Sequence, residues 1–165
     1  QGDGSVAYTL YADGELDMRL HPLATAFWVL AGVLEGGEAY RALARHPLES
    51  WGVPLYTPFY EENPHCYHNR SAWPFVDAFH FLAQWSLRPD EDVLRTWLVL
   101  NGRACRDRRG FRELLNMDTG ELIGSAHQLW SAAGYLGALM RWTAMESKAW
   151  RRSIRAEGAC PSRNK

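Results

Sequence analysis

The chain lacks several features by which a protein class is usually recognised. Its three cysteines are widely spaced and odd in number, so they define neither a disulfide framework nor a zinc pattern. Its longest apolar run lies within 22–34 and is too short to span a bilayer, so we expect no membrane partner. Eighteen basic residues against nineteen acidic ones leave a net charge of -1, which excludes a general electrostatic nucleic-acid binder. The sequence also contains no P-loop, no dinucleotide-binding fingerprint and no G-x-S-x-G.

What the chain does contain is the composition of an ordinary globular domain. It has 165 residues, of which 47% are apolar and 22% charged, enough for one domain. Eight Trp, seven Tyr and six Phe argue against disorder and favour a flat ligand. The first residue is Gln and no signal-peptide pattern follows, so we expect a piece of a larger protein and assign no compartment. The polar segment 146–165 is predicted to be a disordered tail.

Hydrophobic periodicity predicts a mainly helical fold after a short N-terminal β element. The predicted helices span 22–34, 38–46, 72–87, 90–106 and 125–145. The first, third and fifth are apolar on nearly every face, which predicts burial on every side, whereas the second and fourth are amphipathic. This alternation is typical of the inner and outer helices of a double-layered helical ring, to which the chain would contribute about five helices.

Two long loops, 47–70 and 108–124, each precede one of the apolar helices. Loops of more than about 12–15 residues inside a compact domain are usually functional. Because both enter the N-terminal ends of inner helices, we expect them to gather at one end of the ring and to form a cleft there.

The first of these loops and the helix start after it are dense in polar and aromatic side chains. Aromatic faces can cover the C–H faces of a sugar, and Asn, His and Arg side chains can hydrogen-bond its hydroxyls. The candidate sugar-binding residues are Tyr60, Tyr67, His68, Asn69, Arg70 and Trp73. The alternative is a structural loop whose polar groups satisfy one another.

The second loop contributes a candidate catalytic carboxyl group, Glu113, which could act as a general base. The alternative is a solvated surface carboxylate, or a partner of Arg112 or Arg109. Gln128 and Trp130, at the start of the last helix, could face the same cleft, although Trp130 could equally be an ordinary core residue.

Other chemistries have weaker support in the sequence. The possible metal ligands are His65, Cys66, His68 and His80. Their spacing matches no recognised zinc pattern, so we expect no metal and no cofactor. Nothing in the spacing of Ser71, Asp77 and His80 supports a catalytic triad.

Two motifs in this region resemble those of a known family. Y-H-N-R-S-A-W-P-F-V over 67–76 is similar to the Y-H-N-G-x-x-W-P-type motif of six-hairpin glycosidases, the inverting hydrolases built on an (α/α)6 toroid. E-L-L-N-M-D-T-G over 113–120, followed by S-A-H-Q-L-W-S-A-A-G-Y-L over 125–136, resembles the E-N-x-N-P-x-T-G…W-S-A-A segment of glycoside hydrolase family 63 and its debranching-type relatives. The motifs occur in the family's order and together cover roughly 60–140.

The resemblance implies that 1–145 is the C-terminal part of an (α/α)6 catalytic domain that hydrolyses a mono- or oligosaccharide with inversion. In it Glu113 would be the general base that activates water, and Trp73 would line the sugar pocket. The family's general acid lies upstream, in the remainder of the toroid, so the isolated chain is expected to be inactive. Two departures from the pattern are Arg70, in place of a small residue, and Met117-Asp118, in place of Pro-x.

Two other functions stay open at this point. One is a non-catalytic carbohydrate-binding or structural fragment of a toroid. The other is a helical-ring sugar isomerase, which would require His68, His80 or His127 rather than Glu113. In either case we expect Glu113 and Trp73 to share one cleft. We also expect Asp77, on a buried helix, to be structural and paired, because an unpaired buried carboxylate is costly.

Overall fold

The computed structural model describes residues 8–62, 67–105 and 110–158, with side chains as far as residue 149. Within these ranges there are five helices and two small sheets. The helices are α1 (Pro22–Leu30), α2 (Gly36–Ala44), α3 (Pro74–Leu87), α4 (Glu91–Arg103) and α5 (Leu129–Gly158). The strands are β1 (Thr9–Leu10), β2 (Leu16–Asp17), β3 (Ser71–Ala72), β4 (Leu114–Asn116) and β5 (Leu122–Ile123). None of the helices in these ranges is both long and apolar enough to cross a bilayer.

Helix α3 is the centre of the packing and contacts the other four helices. Helices α1 and α5 pack against α3, while α2 packs against α1 and α3, and α4 packs against α3 and α5. The core between them is built from buried side chains such as Phe81, Leu94 and Trp97. The mainly helical class predicted from the sequence, with a short β1–β2 hairpin before it, is therefore confirmed.

Helix α1 corrects one expectation about burial. It ends at Leu30, and Gly32 follows with a φ of 71°, a left-handed conformation that glycine adopts without strain. Its side chains are not buried on every face, because Phe27 and Trp28 are 47% and 43% exposed. The sequence shows that a helix has several apolar faces. Which of those faces are buried depends on the elements that pack against the helix.

The three-stranded sheet was not predicted, and it lies in segments expected to be loop or helix. Helix α3 begins at Pro74, so Ser71 is not its cap, and Ser71 and Ala72 form β3 instead. Strand β4 is central and antiparallel to both neighbours, pairing Ala72 with Leu115 and Leu115 with Leu122. Strands of two or three residues are too short to show a two-residue periodicity. This sheet joins the two long loops.

Helix α5 starts later and ends later than expected. It begins at Leu129 rather than after Ser125, because His127 takes a left-handed φ of 59° and interrupts the helical backbone. It then continues past residue 145, where the sequence predicts a disordered tail. The correction is that the backbone is helical as far as Gly158. Ala, Glu, Lys and Arg favour helix throughout this segment. Residues 159–165 lie outside the described residues.

Candidate functional site

A cleft of about 420 Å³ lies where the N-terminal ends of α1, α3 and α5 meet the three-stranded sheet. Its polar and aromatic lining comprises His21, Tyr56, Tyr67, His68, Trp73, Phe75, Glu113 and Trp130. The prediction that Glu113 and Trp73 share one cleft is confirmed. The β3–β4 pairing explains it, because Trp73 directly follows β3 and Glu113 directly precedes β4.

The Glu113 carboxylate is held by hydrogen bonds from three neighbouring residues. Its Oε2 accepts the backbone N–H of Ser125 at 2.9 Å, and the side chains of Tyr67, Ser125 and Gln128 also hydrogen-bond to it. Burial alone would raise the pKa of Glu113, but these hydrogen bonds outweigh it and hold the pKa below its usual value. The carboxylate is therefore ionised at neutral pH, and its Oε2 is held by the Ser125 N–H.

Gly124 makes this close approach possible. Its φ is 77°, and a Cβ at this position would lie 2.5 Å from Glu113 Oε2 and 3.2 Å from the Tyr67 hydroxyl. The first contact is shorter than non-bonded atoms tolerate, so only glycine fits here without displacing the carboxylate.

Tyr67 is the protonated partner of this carboxylate. Burial first, and then the hydrogen bond and negative charge of Glu113, raise the pKa of Tyr67 to about 12. Its hydroxyl therefore stays a donor at physiological pH. Its ring is 43% exposed and meets the Trp73 ring edge to face, with centroids 5.2 Å apart.

Trp73 lines the cleft, as the sequence predicts, and is largely buried there. Trp73 is only 5% exposed, its indole N–H is donated to Ser71 Oγ at 2.9 Å, and the His68 ring stacks on it at 5.3 Å. It therefore forms the floor of the cleft rather than an open platform. The exposed platform is Trp130, which is 48% exposed and stacks on Phe75 at 4.4 Å.

Two predicted sugar-binding residues have structural partners outside the described lining of the cleft. Asn69 is 4% exposed, donates from Nδ2 to the Tyr60 carbonyl at 2.7 Å and accepts the Tyr60 N–H at 2.9 Å. The Tyr60 hydroxyl donates to Asp17 at 3.2 Å, and the Arg19 guanidinium lies 3.7 Å from the Tyr60 ring centroid. These contacts agree with the alternative of a structural loop whose polar groups satisfy one another, and neither residue is among the described lining of the cleft.

Arg70 has a structural partner as well. Its Nε donates to Asp118 Oδ2 at 2.8 Å, and its Nη2 also binds the Asp118 carboxylate. The two departures from the family pattern therefore bind each other. Arg70 has a φ of 54°, a conformation that favours the small residue found there in the family. This pairing agrees with a structural role for Arg70, and Arg70 is not among the described residues that line the cleft.

Gln128 also plays a different part from the one expected. Its side chain hydrogen-bonds to Glu113, and its backbone N–H is donated to the Phe111 carbonyl at 2.8 Å. It orients the carboxylate and is not among the described residues that line the cleft.

The other candidate chemistries are not assembled at one place. Ser71 Oγ donates to the His68 carbonyl, Asp77 accepts the Val53 N–H at 2.8 Å, and His80 contacts Gln84, so the three imagined triad members have separate partners. Burial raises the pKa of Asp77 to about 8, although the Val53 hydrogen bond opposes the shift. The expectation that this carboxyl group is paired is confirmed.

The histidines and other possible metal ligands are also separated from one another in the structure. His68 lines the cleft, whereas His80 is 2% exposed in the core. Within the described ranges no three His, Cys, Asp or Glu side chains gather as a metal site would require. His65 and Cys66 lie outside the described residues.

Sequence reasoning missed His21 and Tyr56. His21 caps α1 by accepting the Ala24 N–H at 3.3 Å, and burial lowers its pKa, so it is a neutral imidazole at the cleft. A signal for it was present, because His21 precedes Pro22 at the start of an apolar helix, as Ser71 and Ser125 precede the other two. Tyr56 lies in a proline-rich loop that offers no such signal.

The comparisons with known proteins add no relative: no protein-family model matches the chain, and no curated protein matches it in sequence.

Proposed function

We propose that this chain is part of an inverting glycoside hydrolase of the (α/α)6 toroid type, and that Glu113 is its general base. The observation that carries the proposal is the position of Glu113. An ionised, firmly oriented carboxylate shares one cleft with the exposed aromatic rings of Tyr67 and Trp130. The two motifs that resemble the family meet at this point through the β3–β4 pairing.

The helix packing is compatible with a segment of such a ring. In this proposal α1, α3 and α5 are inner helices and α2 and α4 are outer helices, which agrees with the contacts of α3. The exposed apolar side chains of α1 and α5, including Trp28 and Met140, are then the places where further helices of the ring would pack.

The proposed reaction uses Glu113 as a proton acceptor. A water molecule held by the carboxylate attacks the anomeric carbon, transfers a proton to Glu113, and the glycosidic C–O bond breaks on the opposite side. The leaving oxygen takes its proton from a general acid, which the resemblance places in the remainder of the toroid, about 6.5–9.5 Å from the base. Donors from Ser125 and Tyr67 keep the carboxylate ionised and aimed at that water.

The remaining lining residues suit a sugar ring. The exposed face of Trp130 offers a surface for the C–H face of a pyranose, and the imidazoles of His21 and His68 can hydrogen-bond its hydroxyls. Trp73 supports the His68 ring from below.

The direct test is turnover by the protein that carries the whole ring. Glu113→Gln should lower kcat by about 10²–10⁴-fold, the usual contribution of a general base, with KM changed much less. Glu121→Gln is the matched control, because Glu121 is an exposed carboxylate two residues beyond the Asp118–Thr119 turn of the same sheet. Equal activity of the two variants would refute the assignment.

A second candidate function is carbohydrate binding without catalysis. The observation that favours it is that Glu113 is the single carboxyl group among the described residues that line the cleft. This candidate predicts that Glu113→Gln weakens sugar binding only slightly and that no whole-ring form turns over a glycoside. An isomerase would instead depend on His68 and tolerate Glu113→Gln.

A further inference from the structure

A second cavity of about 240 Å³ lies between α3 and α5, next to the cleft. Its walls include Phe79, Leu82 and Trp97, and Arg141 is the one charged side chain among its described lining. The Arg141 guanidinium donates one N–H to the Gly137 carbonyl at 2.8 Å and lies over the Trp97 ring, while the rest of the described lining is apolar or glycine. The cavity therefore offers an apolar surface to whatever enters it.

The walls of this cavity are set by a close helix contact. A Cβ at Gly134 would lie 2.6 Å from Ala78 Cβ, so α3 and α5 touch there. One turn further on, a Cβ at Gly137 would have no neighbour nearer than 3.6 Å. The cavity lies beside this close contact, and the Gly137 position is in ordinary van der Waals range of the Trp97 ring that lines it.

The cavity and the cleft share an aromatic wall. Phe75 and Trp130 line both, and their rings stack at 4.4 Å with an interplanar angle of 15°. The two cavities are therefore neighbours that share these two side chains.

We propose that this cavity binds the apolar aglycone of a glycoside whose sugar occupies the Glu113 cleft. The inference rests on the proposed function and names its substrate class. An apolar cavity of roughly 150 Å³ is known to accept benzene, so this one has room for an aryl ring or a short alkyl chain. A second sugar is disfavoured, because Arg141 is the one side chain in the described lining that carries a charge, and it could hydrogen-bond few of the several hydroxyls that would be buried there.

The test measures the binding of three classes of probe to the 165-residue chain, by calorimetry or ligand-observed NMR. They are methyl glycosides of glucose, mannose and galactose in both anomers, the matching octyl glycosides below their critical micelle concentrations, and 1-octanol. We expect an octyl glycoside to bind about 10- to 100-fold more tightly than its methyl counterpart, because several methylene groups leave water. It should also bind more tightly than 1-octanol.

Two variants locate the effect. Ala133→Phe fills the cavity from α5 and should remove the octyl advantage while methyl glycoside binding is unchanged. Ala144→Phe makes the same change at an exposed position of α5 outside the described lining and should leave the advantage intact.

The possible failures are distinguishable. Equal affinities for methyl and octyl glycosides, in the chain and in Ala133→Phe, would overturn the aglycone site and leave the proposed function standing. Equal affinities for octyl glycosides and 1-octanol, with no methyl glycoside bound, would mean that the cleft binds no sugar. That result would overturn the proposed function and, with it, the proposal of one glycoside that occupies both the cleft and the cavity. Loss of octyl binding as the chain associates at higher concentration would show that a second copy fills the cavity and would also overturn the proposal.

Discussion

Acidification should destabilise this fold through two buried histidines that lie between α1, α2 and α3. His46 and His80 are 6% and 2% exposed, and their rings lie 5.6 Å apart. His46 Nε2 contacts Thr25 Oγ1 and His80 Nε2 contacts the Gln84 amide, while within the described residues neither Nδ1 has a partner. Burial lowers the pKa of His80 to about 4. Burial, followed by repulsion from His80, lowers that of His46 to about 3.

The magnitude follows from proton linkage. An unfolded-chain histidine with an ordinary pKa of about 6.5 becomes almost fully protonated between pH 7 and pH 5, whereas His80 in the fold stays mostly neutral. The unfolded state therefore gains a proton that the folded state does not. Each histidine then lowers the free energy of unfolding by about 2 kcal/mol over this interval. Any folded pKa of about 4 or below gives nearly the same value, because the unfolded state dominates the difference.

The assay is urea unfolding followed by circular dichroism at pH 5, 6, 7 and 8, with the chain and with His80→Gln. Glutamine keeps a partner for Gln84 and does not titrate, so the variant should lose about 2 kcal/mol less than the parent between pH 7 and pH 5. The raised pKa of Asp77 stabilises the fold at low pH and less so as pH rises toward 8. Because both proteins contain Asp77, this contribution cancels in the difference between their free energies of unfolding. His127→Gln, at an exposed histidine, is the control. Parallel pH curves for the chain and His80→Gln would refute the reasoning.

Three further predictions concern the cleft and its supports. Gly124→Ala should displace the Glu113 carboxylate and strain a left-handed residue, so it should lower the free energy of unfolding in urea by about 1–3 kcal/mol and also weaken sugar binding. An unchanged free energy of unfolding and an unchanged sugar affinity would contradict the close approach. Asp77→Ala should cost about 1–3 kcal/mol because it leaves the buried Val53 N–H unpaired, whereas Asp77→Asn should cost much less. A large loss of turnover in the whole-ring protein with an unchanged melting temperature in Asp77→Asn would mean that Asp77 is not structural. A double-mutant cycle of Arg70→Ala and Asp118→Ala should give a coupling of about 0.2–1 kcal/mol, since both side chains are partly exposed. A coupling of zero would show that the pair does not join the two loops.

The helices were predictable from long apolar or amphipathic segments bounded by Pro, Gly and capping residues, and every predicted helix is present. Their ends were less predictable, since they depend on single backbone conformations such as that of His127 in front of α5. The sheet could not be predicted, because strands of two or three residues have no periodicity and exist only through pairing with a distant segment.

The candidate site shows the same division. That Glu113 and Trp73 share a cleft followed from their places just before the two apolar helices α5 and α3. That Trp130 rather than Trp73 is the exposed platform depended on which ring His68 covers, a tertiary contact with no local signal. The partner of Arg70 was equally hidden, because Asp118 is distant in sequence and only the sheet brings the two together.

The pairing of β3 with β4 also makes the cleft depend on a helix that contributes no residue to its described lining, α4. Arg70 and Asp118 are 48 residues apart along the chain, and both α3 and α4 lie inside the loop that their contact closes. Closing a loop of this length costs entropy, which the packing of the two helices helps to offset. A ligand bound between Tyr67 and Glu113 binds only the folded state, so it would raise the free energy of unfolding of α4 as well, which it does not need to touch.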